Sequence, residues 1–269
     1  DTVAANMQSN LTAFSYLLPL FGAVIVDKYI GARYTTPVGM FIAAAGYFTG
    51  GIAKSSAGVY AMIFLVSLGL ALFKNGAIIG RVITDKSQMD PAFSMRYTLV
   101  NVGAFIGTFL VGILYKDVFA KDGVLGFAPC FKMAALMMVL GGLWYIFVCW
   151  RFLGDLGKLP FKKTLTEEEK AAEAKKKEET GTKQPLTTIE KKRIGAIFVA
   201  SLFSIVFWIF WYLGYMPVYF YWAENMDWVV AGYQVPSTWF DAANSLFCVI
   251  LGPVTAVSYT HLRAHETLS

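Results

Sequence analysis

Apolar residues recur along this chain in long, continuous stretches that short polar segments separate. Each stretch is about 20 residues long, which is the length that an α-helix needs to cross the hydrocarbon core of a bilayer. The strands of a membrane barrel would be about half as long and would alternate between polar and apolar residues. The pattern therefore predicts helical spans at 8–26, 37–53, 57–80, 94–115, 124–150, 194–222 and 236–257.

The composition leads to the same fold class. Hydrophobic residues make up 57% of the chain and 22 residues are phenylalanine, which is more apolar surface than one soluble core would hide. Cys130, Cys149 and Cys248 all lie in apolar stretches without metal-ligand spacing, so neither a disulfide framework nor a metal site is predicted. We predict an all-α, polytopic membrane protein with about seven transmembrane helices.

Lysine and arginine are unevenly distributed among the polar segments. Lys28 and Arg33 follow the first span, Arg81 and Lys86 follow the third, and a dense basic stretch follows the fifth. Because positive residues flank the cytoplasmic ends of membrane helices, these three segments are predicted to face the cytoplasm. This topology explains the net charge of +5 better than binding to nucleic acid does.

The single long polar segment of the sequence divides the chain. Residues 154–193 are predicted to form a cytoplasmic linker between an N-terminal bundle at 1–153 and the start of a second bundle at 194–257. Residues 258–269 are expected to be non-native adaptor sequence, and the His261 and His265 pair within them predicts no metal site. The chain opens at Asp1 without a signal-peptide pattern, so we expect it to begin inside a longer protein.

The turn between the first two spans carries an unusual carboxylate. Asp27 lies at the end of its own helix, where the negative pole of the helix dipole disfavours it by roughly 0.3–1 kcal/mol. Asp27 therefore needs a partner, for which Lys28, Arg33 and the N-terminus of another helix are candidates. Gly22 would let a neighbouring helix approach closely. An ordinary short cytoplasmic loop with a few charges is the alternative interpretation.

Lys74 and Asn101 lie inside predicted spans, where a polar group is costly unless it faces a partner or a cavity. The amine of Lys74 either snorkels from near the cytoplasmic end of its span, or faces a cavity, where it would bind an anionic group or take part in proton coupling. Asn101 either bonds to another helix or contacts a substrate, because its amide can both donate and accept hydrogen bonds.

Four segments carry a family resemblance in their order and spacing. They are Asp27-x-x-x-Gly31 in the first turn, Leu72-Phe73-Lys74, the set Phe93, Ser94, Tyr97, Asn101, Gly103, Ala104 and Phe105, and the set Pro236, Trp239, Phe240, Asn244, Leu246 and Phe247. Together they resemble the proton-dependent oligopeptide transporter family of the major facilitator type. Val26 departs from that family, which usually has a small residue before the aspartate.

The resemblance implies a partial major facilitator-type helical bundle with helices two to eight, which lacks the first and the later helices. The implied function is proton-coupled import of di- and tripeptides across the plasma membrane by alternating access. The proton is the coupling ion, no other cofactor is implied, and the protein is not expected to be an enzyme. The fragment alone is not expected to transport, and its oligomeric state is left open.

The same resemblance assigns roles to residues. The implied substrate-binding residues are Tyr16, Lys74, Asn101 and Asn244, and Lys74 is also implied in proton coupling. The implied gating loop contains Gly22, Asp27, Gly31 and Arg33. Tyr16 and Asn244 also have a simpler interpretation, as packed or interfacial side chains of the first and last spans.

Tyr212 is the main departure from the family, which often has a membrane-embedded glutamate at this position. The departure favours two alternatives: a major facilitator transporter of another substrate class, such as nitrate, an amino acid or a drug, or a non-transporting receptor on the same fold. An E-x-x-E-R-F stretch upstream would favour peptide uptake over both. Gly214 and Pro217 predict a break in the same span.

Overall fold

The computed structural model describes residues 2–74, 86–160, 188–213 and 217–266. The described helices are α1 (Thr2–Lys28), α2 (Ala32–Ile52), α3 (Ser56–Phe73), α4 (Lys86–Ile113), α5 (Phe127–Phe152), α6 (Thr188–Leu213), α7 (Pro217–Asn225) and α8 (Thr238–Glu266). A π-helical turn, Leu114–Val118, extends α4, and the strands β1 (Val229–Val230) and β2 (Tyr233–Gln234) form an antiparallel hairpin. The predicted all-α class is confirmed.

Five described helices are long and apolar enough to cross a bilayer, at Val3–Val26, Ser56–Phe73, Pro91–Val118, Phe127–Phe152 and Thr188–Leu213. They overlap five of the seven predicted spans. The predicted span 37–53 corresponds to α2 (Ala32–Ile52), which is not among these five helices. The predicted span 236–257 corresponds to the apolar part of α8, Thr238–Gly252.

Two described helices lie in the predicted span 194–222. Helix α6 is described up to Leu213 and α7 from Pro217, and residues 214–216 between them lie outside the described residues, so the predicted break stays a prediction. Gly214, like residues 75–80 of the predicted third span, lies outside the described residues.

Glycines allow α1, α2 and α3 to pack closely. A Cβ atom added to Gly22 of α1 would overlap the carbonyl group of Ala71 in α3, and one added to Gly39 of α2 would lie 2.6 Å from the carbonyl oxygen of Gly69. Such contacts are typical of membrane helices, where small residues let two backbones approach. The role predicted for Gly22 in close helix packing agrees with this geometry.

A small core joins the first helices. Met62, Ile63 and Val66 of α3 are buried, and side chains from α1, α2 and α5 pack against them, among them Leu11, Tyr47 and Phe131. By contrast, many large apolar side chains on the helix surfaces are exposed, as expected of surfaces that face lipid.

The chain forms two compact units. The first contains Asp1–Lys163 and Trp228–Ser269, and the second contains Thr164–Asp227. Helix α8 belongs to the first unit because it packs against α4. The predicted division into bundles at 1–153 and 194–257 stays a prediction, as does the non-native origin of residues 258–269.

Candidate functional site

Lys74 lies against the ring of Tyr16. Its backbone N–H donates to the carbonyl oxygen of Leu70 at 3.0 Å, and the residue caps the C-terminus of α3, where a cation is favourable next to the helix dipole. Its Nζ atom lies 4.1 Å from the centroid of the Tyr16 ring. Both side chains are exposed. The structure thus brings together two residues that the sequence implicates separately, on α1 and α3.

The amide of Asn101 is half-buried on α4 and bonds within its own helix. Its Nδ2 atom donates to the carbonyl oxygen of Tyr97 at 3.0 Å. An asparagine amide has two N–H donors and one acceptor oxygen. The described residues provide no hydrogen bond from Asn101 to another helix, and both the helix-to-helix bond and the substrate contact stay predictions.

Asn244 lies on α8 at a level similar to that of Asn101. The two helices are antiparallel, because Tyr97 contacts Cys248 through a 3.9 Å O–H to Sγ hydrogen bond while Phe109 stacks on Trp239 at 4.5 Å between ring centroids. These contacts bracket both asparagines. Within the described ranges, no contact joins the Asn101 and Asn244 pair to the Lys74 and Tyr16 pair.

The predicted gating loop docks onto the turn after α5. The backbone N–H of Arg33 donates to the carbonyl oxygen of Gly157 at 3.1 Å, and the Arg33 guanidinium donates to the carbonyl oxygen of Gly154. Gly31 packs so closely on the backbone of Gly157 and Lys158 that a Cβ atom would overlap it. The Asp27 side chain lies outside the described residues, so its partner stays a prediction.

This docking turn was not predicted from the sequence. Gly154 and Gly157 adopt φ values of 51° and 76°, a left-handed conformation that glycine adopts at little cost. The pair of glycines in Leu153-Gly154-Asp155-Leu156-Gly157 is the signal that would have indicated it. In this turn the Nζ atom of Lys158 donates a hydrogen bond to Oδ1 of Asp155 at 2.5 Å. The hydrogen bond from Lys158 and then its charge lower the pKa of Asp155, and the charge of Arg33 adds to this effect.

The hairpin before α8 contacts the π-helical turn after α4. The Tyr233 hydroxyl donates to Oδ2 of Asp117 at 2.7 Å, the Lys116 Nζ atom lies 4.4 Å from the centroid of the Tyr233 ring, and the Lys116 amine donates to the carbonyl oxygen of Gln234. The hydrogen bond to Asp117 raises the pKa of Tyr233. This contact was also not predicted from the sequence, because the turn residues Ala231 and Gly232 are only a weak hairpin signal.

Trp239 secures the adjoining ends of α4 and α8. Its indole Nε1 donates to the carbonyl oxygen of Phe109 at 3.2 Å, and its side chain lies against Gly112, where a Cβ atom would come within 2.9 Å of the indole nitrogen. The hairpin and Trp239 therefore hold one end of the helix pair that carries Asn101 and Asn244.

Tyr212 occupies an aromatic surface of α6. Its ring centroid lies 6.0 Å from that of Trp208, which also contacts Phe207 and Trp211. Within the described parts of the chain, no three His, Cys, Asp or Glu side chains come close enough to hold a metal ion.

Comparison with known proteins identifies a family whose sequence profile this chain matches. The sequence profile of the Major Facilitator Superfamily matches residues 3–265. "Dipeptide and tripeptide permease B" of Shigella dysenteriae serotype 1 (strain Sd197) is 22% identical over 286 residues, which cover 93% of this chain and 56% of the permease. "Dipeptide and tripeptide permease A" of Pectobacterium carotovorum subsp. carotovorum (strain PC1) is 25% identical over 167 residues, or 60% of this chain and 31% of the permease. This chain thus spans about half the length, or less, of these curated relatives.

Solved structures share the fold. A peptide transporter crystallised with sulfate has a TM-score of 0.73 at 22% identity, over 97% of this chain and 60% of the transporter. Tetrameric PepTSo2 has a TM-score of 0.74 at 22% identity, over 97% of this chain and 63% of its own.

Proposed function

The chain belongs to the Major Facilitator Superfamily, and we propose that it is part of a proton-coupled symporter that imports di- and tripeptides across the cell membrane by alternating access. The complete protein would hold its substrate between two halves and expose it to each side of the membrane in turn. The segment 154–193 would connect the halves on the cytoplasmic side.

The observation that carries the proposal is the Lys74 amine, which lies 4.1 Å from the centroid of the exposed Tyr16 ring. A primary amine binds a carboxylate through a charge-assisted hydrogen bond. The aromatic ring attracts the cation weakly and holds it in place without neutralising its charge. Lys74 is therefore suited to bind the C-terminal carboxylate, which every peptide with an unmodified C-terminus carries.

Asn101 and Asn244 suit the rest of a peptide. A peptide bond presents one N–H and one C=O, which lose their bonds to water on binding, and an amide side chain can replace both. Both asparagines are half-buried on packed helices, so their positions are fixed before a ligand arrives. The relatives whose names specify dipeptides and tripeptides support the same substrate class.

A second candidate is transport of another solute by the same fold. Its support is Tyr212, which stands where the resembling family often has a carboxylate. In the peptide transporter proposed above, Lys74 would perform proton coupling together with a group in another part of the full-length protein. If the protein instead transports a non-peptide anion, Lys74 would serve that anion and no proton would be needed.

Uptake by the full-length parent in liposomes tests the proposal. A dipeptide should accumulate when the outside is acidic and should equilibrate without accumulating when the proton gradient is collapsed. A dipeptide with an amidated C-terminus should compete poorly, because it offers Lys74 no carboxylate. Accumulation of nitrate or a single amino acid without accumulation of any dipeptide would favour the second candidate, and dipeptide accumulation that ignores the proton gradient would contradict proton coupling.

A further inference from the structure

An apolar groove runs between α2 and α5 and has a cation at one end. It has a volume of about 510 Å³ and is lined by Phe41, Ala44, Ala45 and Phe48 of α2 and by Lys132, Ala135, Leu136 and Val139 of α5. Ala44 and Ala135 are buried and form its floor, whereas Phe48 and Leu136 are about half exposed and form its rim. The lining is apolar except for Lys132.

The groove exists because small residues face each other across the helix pair. Elsewhere on the same pair the contact is tight: a Cβ atom on Gly142 would lie 2.9 Å from the Phe41 ring, and one on Gly51 would lie 2.8 Å from Cγ of Lys132. Between these two contacts, alanines leave space that neither helix fills. In a membrane such a groove admits lipid, because a void without contacts would forfeit dispersion energy.

Lys132 lies at a depth that suits a lipid headgroup. It is the sixth residue of α5, so its Cα lies about 7.5 Å from the helix start. A helix of 26 residues is about 39 Å long and exceeds the hydrocarbon core of about 30 Å, which puts Lys132 near the edge of that core. Its stem is held against Gly51, and its amine can reach the interface by snorkelling.

The charge of Lys132 has no protein partner in the part of the chain that the structure describes. None of the described carboxylates pairs with it. An ammonium at the membrane interface attracts anionic headgroups, and a lipid phosphate would supply its counter-charge.

We propose that the α2–α5 groove and Lys132 form a site for an anionic phospholipid, with one acyl chain in the groove and the headgroup phosphate on the Lys132 amine. In the predicted topology this site opens to the outer leaflet. A zwitterionic lipid fits the groove equally well, but its own positive group weakens its attraction to the amine. The site therefore selects lipids by the charge of the headgroup and retains them through contacts with the acyl chain.

Native mass spectrometry of the chain, purified in a mild detergent, tests this site without requiring transport. The protein is incubated with phosphatidylglycerol or with phosphatidylcholine of the same acyl chains, and the bound fraction is measured. Lys132→Gln should lower the retention of phosphatidylglycerol about fivefold and leave phosphatidylcholine unchanged, while Lys132→Arg should behave like wild type. Ala45→Phe, which fills the groove from its exposed side, should lower the retention of both lipids.

Lys121→Gln is the matched control. Lys121 is exposed in the segment just before α5, so this substitution removes the same charge at a position away from the groove. Equal retention of phosphatidylglycerol by Lys132→Gln and wild type would overturn the proposal. So would an equal loss in Lys121→Gln, which would indicate a diffuse electrostatic effect, or unchanged retention in Ala45→Phe. Size-exclusion profiles and helical circular dichroism that match wild type confirm that each variant is folded.

Discussion

The Nζ atom of Lys74 lies 4.1 Å from the centroid of the Tyr16 ring, so the C-terminal cap of α3 meets the middle of α1 across 58 residues of sequence. The contact puts a cation and a hydrogen-bonding hydroxyl side by side on an exposed surface of the helix group. It also makes the two residues energetically dependent on each other, which a double-mutant cycle can measure.

We expect Lys74→Ala to abolish proton-driven uptake by the full-length parent while it leaves membrane insertion and folding unchanged. Tyr16→Leu should weaken peptide binding about two- to fivefold, because an exposed cation–π contact contributes about 0.5–1 kcal/mol, whereas Tyr16→Phe keeps the ring and should lose less. In the Lys74→Ala background, Tyr16→Leu should have no further effect on binding. Wild-type uptake by Lys74→Ala would mean that the lysine only snorkels.

Asn101→Ala and Asn244→Ala should each weaken dipeptide binding by roughly 5- to 150-fold. This corresponds to about 1–3 kcal/mol, the cost of leaving a buried peptide N–H or C=O without its hydrogen bond. Competition binding on the full-length parent measures the change. Asn225→Ala is a matched control, because the Nδ2 atom of Asn225 also donates to the carbonyl oxygen four residues earlier, at 2.9 Å. If the first two variants bind dipeptides like wild type, the peptide assignment fails.

Gly22→Ala should destabilise the helix group by about 1–3 kcal/mol, the usual cost of overpacking, because its Cβ atom would overlap the Ala71 carbonyl. Gly103→Ala is the control. A Cβ atom on Gly103 meets nothing within 4 Å, so this variant should be neutral or more stable by up to about 1 kcal/mol through its helix propensity. Thermal unfolding in detergent compares the two, and equal midpoints would contradict the close crossing of α1 and α3.

The carboxyl group of Asp155 should titrate below its ordinary pKa of 3.8, because Lys158 bonds to its ionised form. A lowered folded-state pKa stabilises the turn at pH values above the unfolded pKa, and this contribution disappears as the pH falls through the folded pKa. NMR titration of the labelled carboxyl carbon should show that Lys158→Gln raises the pKa towards the ordinary value, while Lys28→Gln leaves it unchanged. An unaltered pKa in Lys158→Gln would show that the pair does not form in solution.

Trp239→Phe should cost about 0.5–1.5 kcal/mol of stability, because phenylalanine keeps the stack on Phe109 but loses the indole hydrogen bond to its carbonyl oxygen. Trp144→Phe makes the same change on the exposed surface of α5, where Trp144 contacts Phe147 through its ring. That control should be nearly neutral. Similar losses in the two variants, measured by thermal unfolding, would mean that the Trp239 bond does not secure the ends of α4 and α8.

Much of the fold was predictable because the membrane imposes it. A spanning segment must satisfy all its backbone hydrogen bonds internally, so a continuous apolar stretch can hardly be anything except a helix. This constraint fixes the helices and their approximate bounds. It does not fix which helices touch, because lipid is as apolar as a leucine side chain and does not drive one helix surface to a particular partner.

The helical class, the approximate spans and the polar residues that a membrane makes costly, among them Lys74 and Asn101, could therefore be predicted from the sequence alone. The tertiary structure was needed to show that Lys74 faces Tyr16 and that Arg33 docks onto the turn at Gly154 and Gly157. The reason is that these contacts join residues far apart in the chain, through close approaches that depend on the shape of two surfaces at once. Hydrophobic periodicity records only whether one surface is apolar.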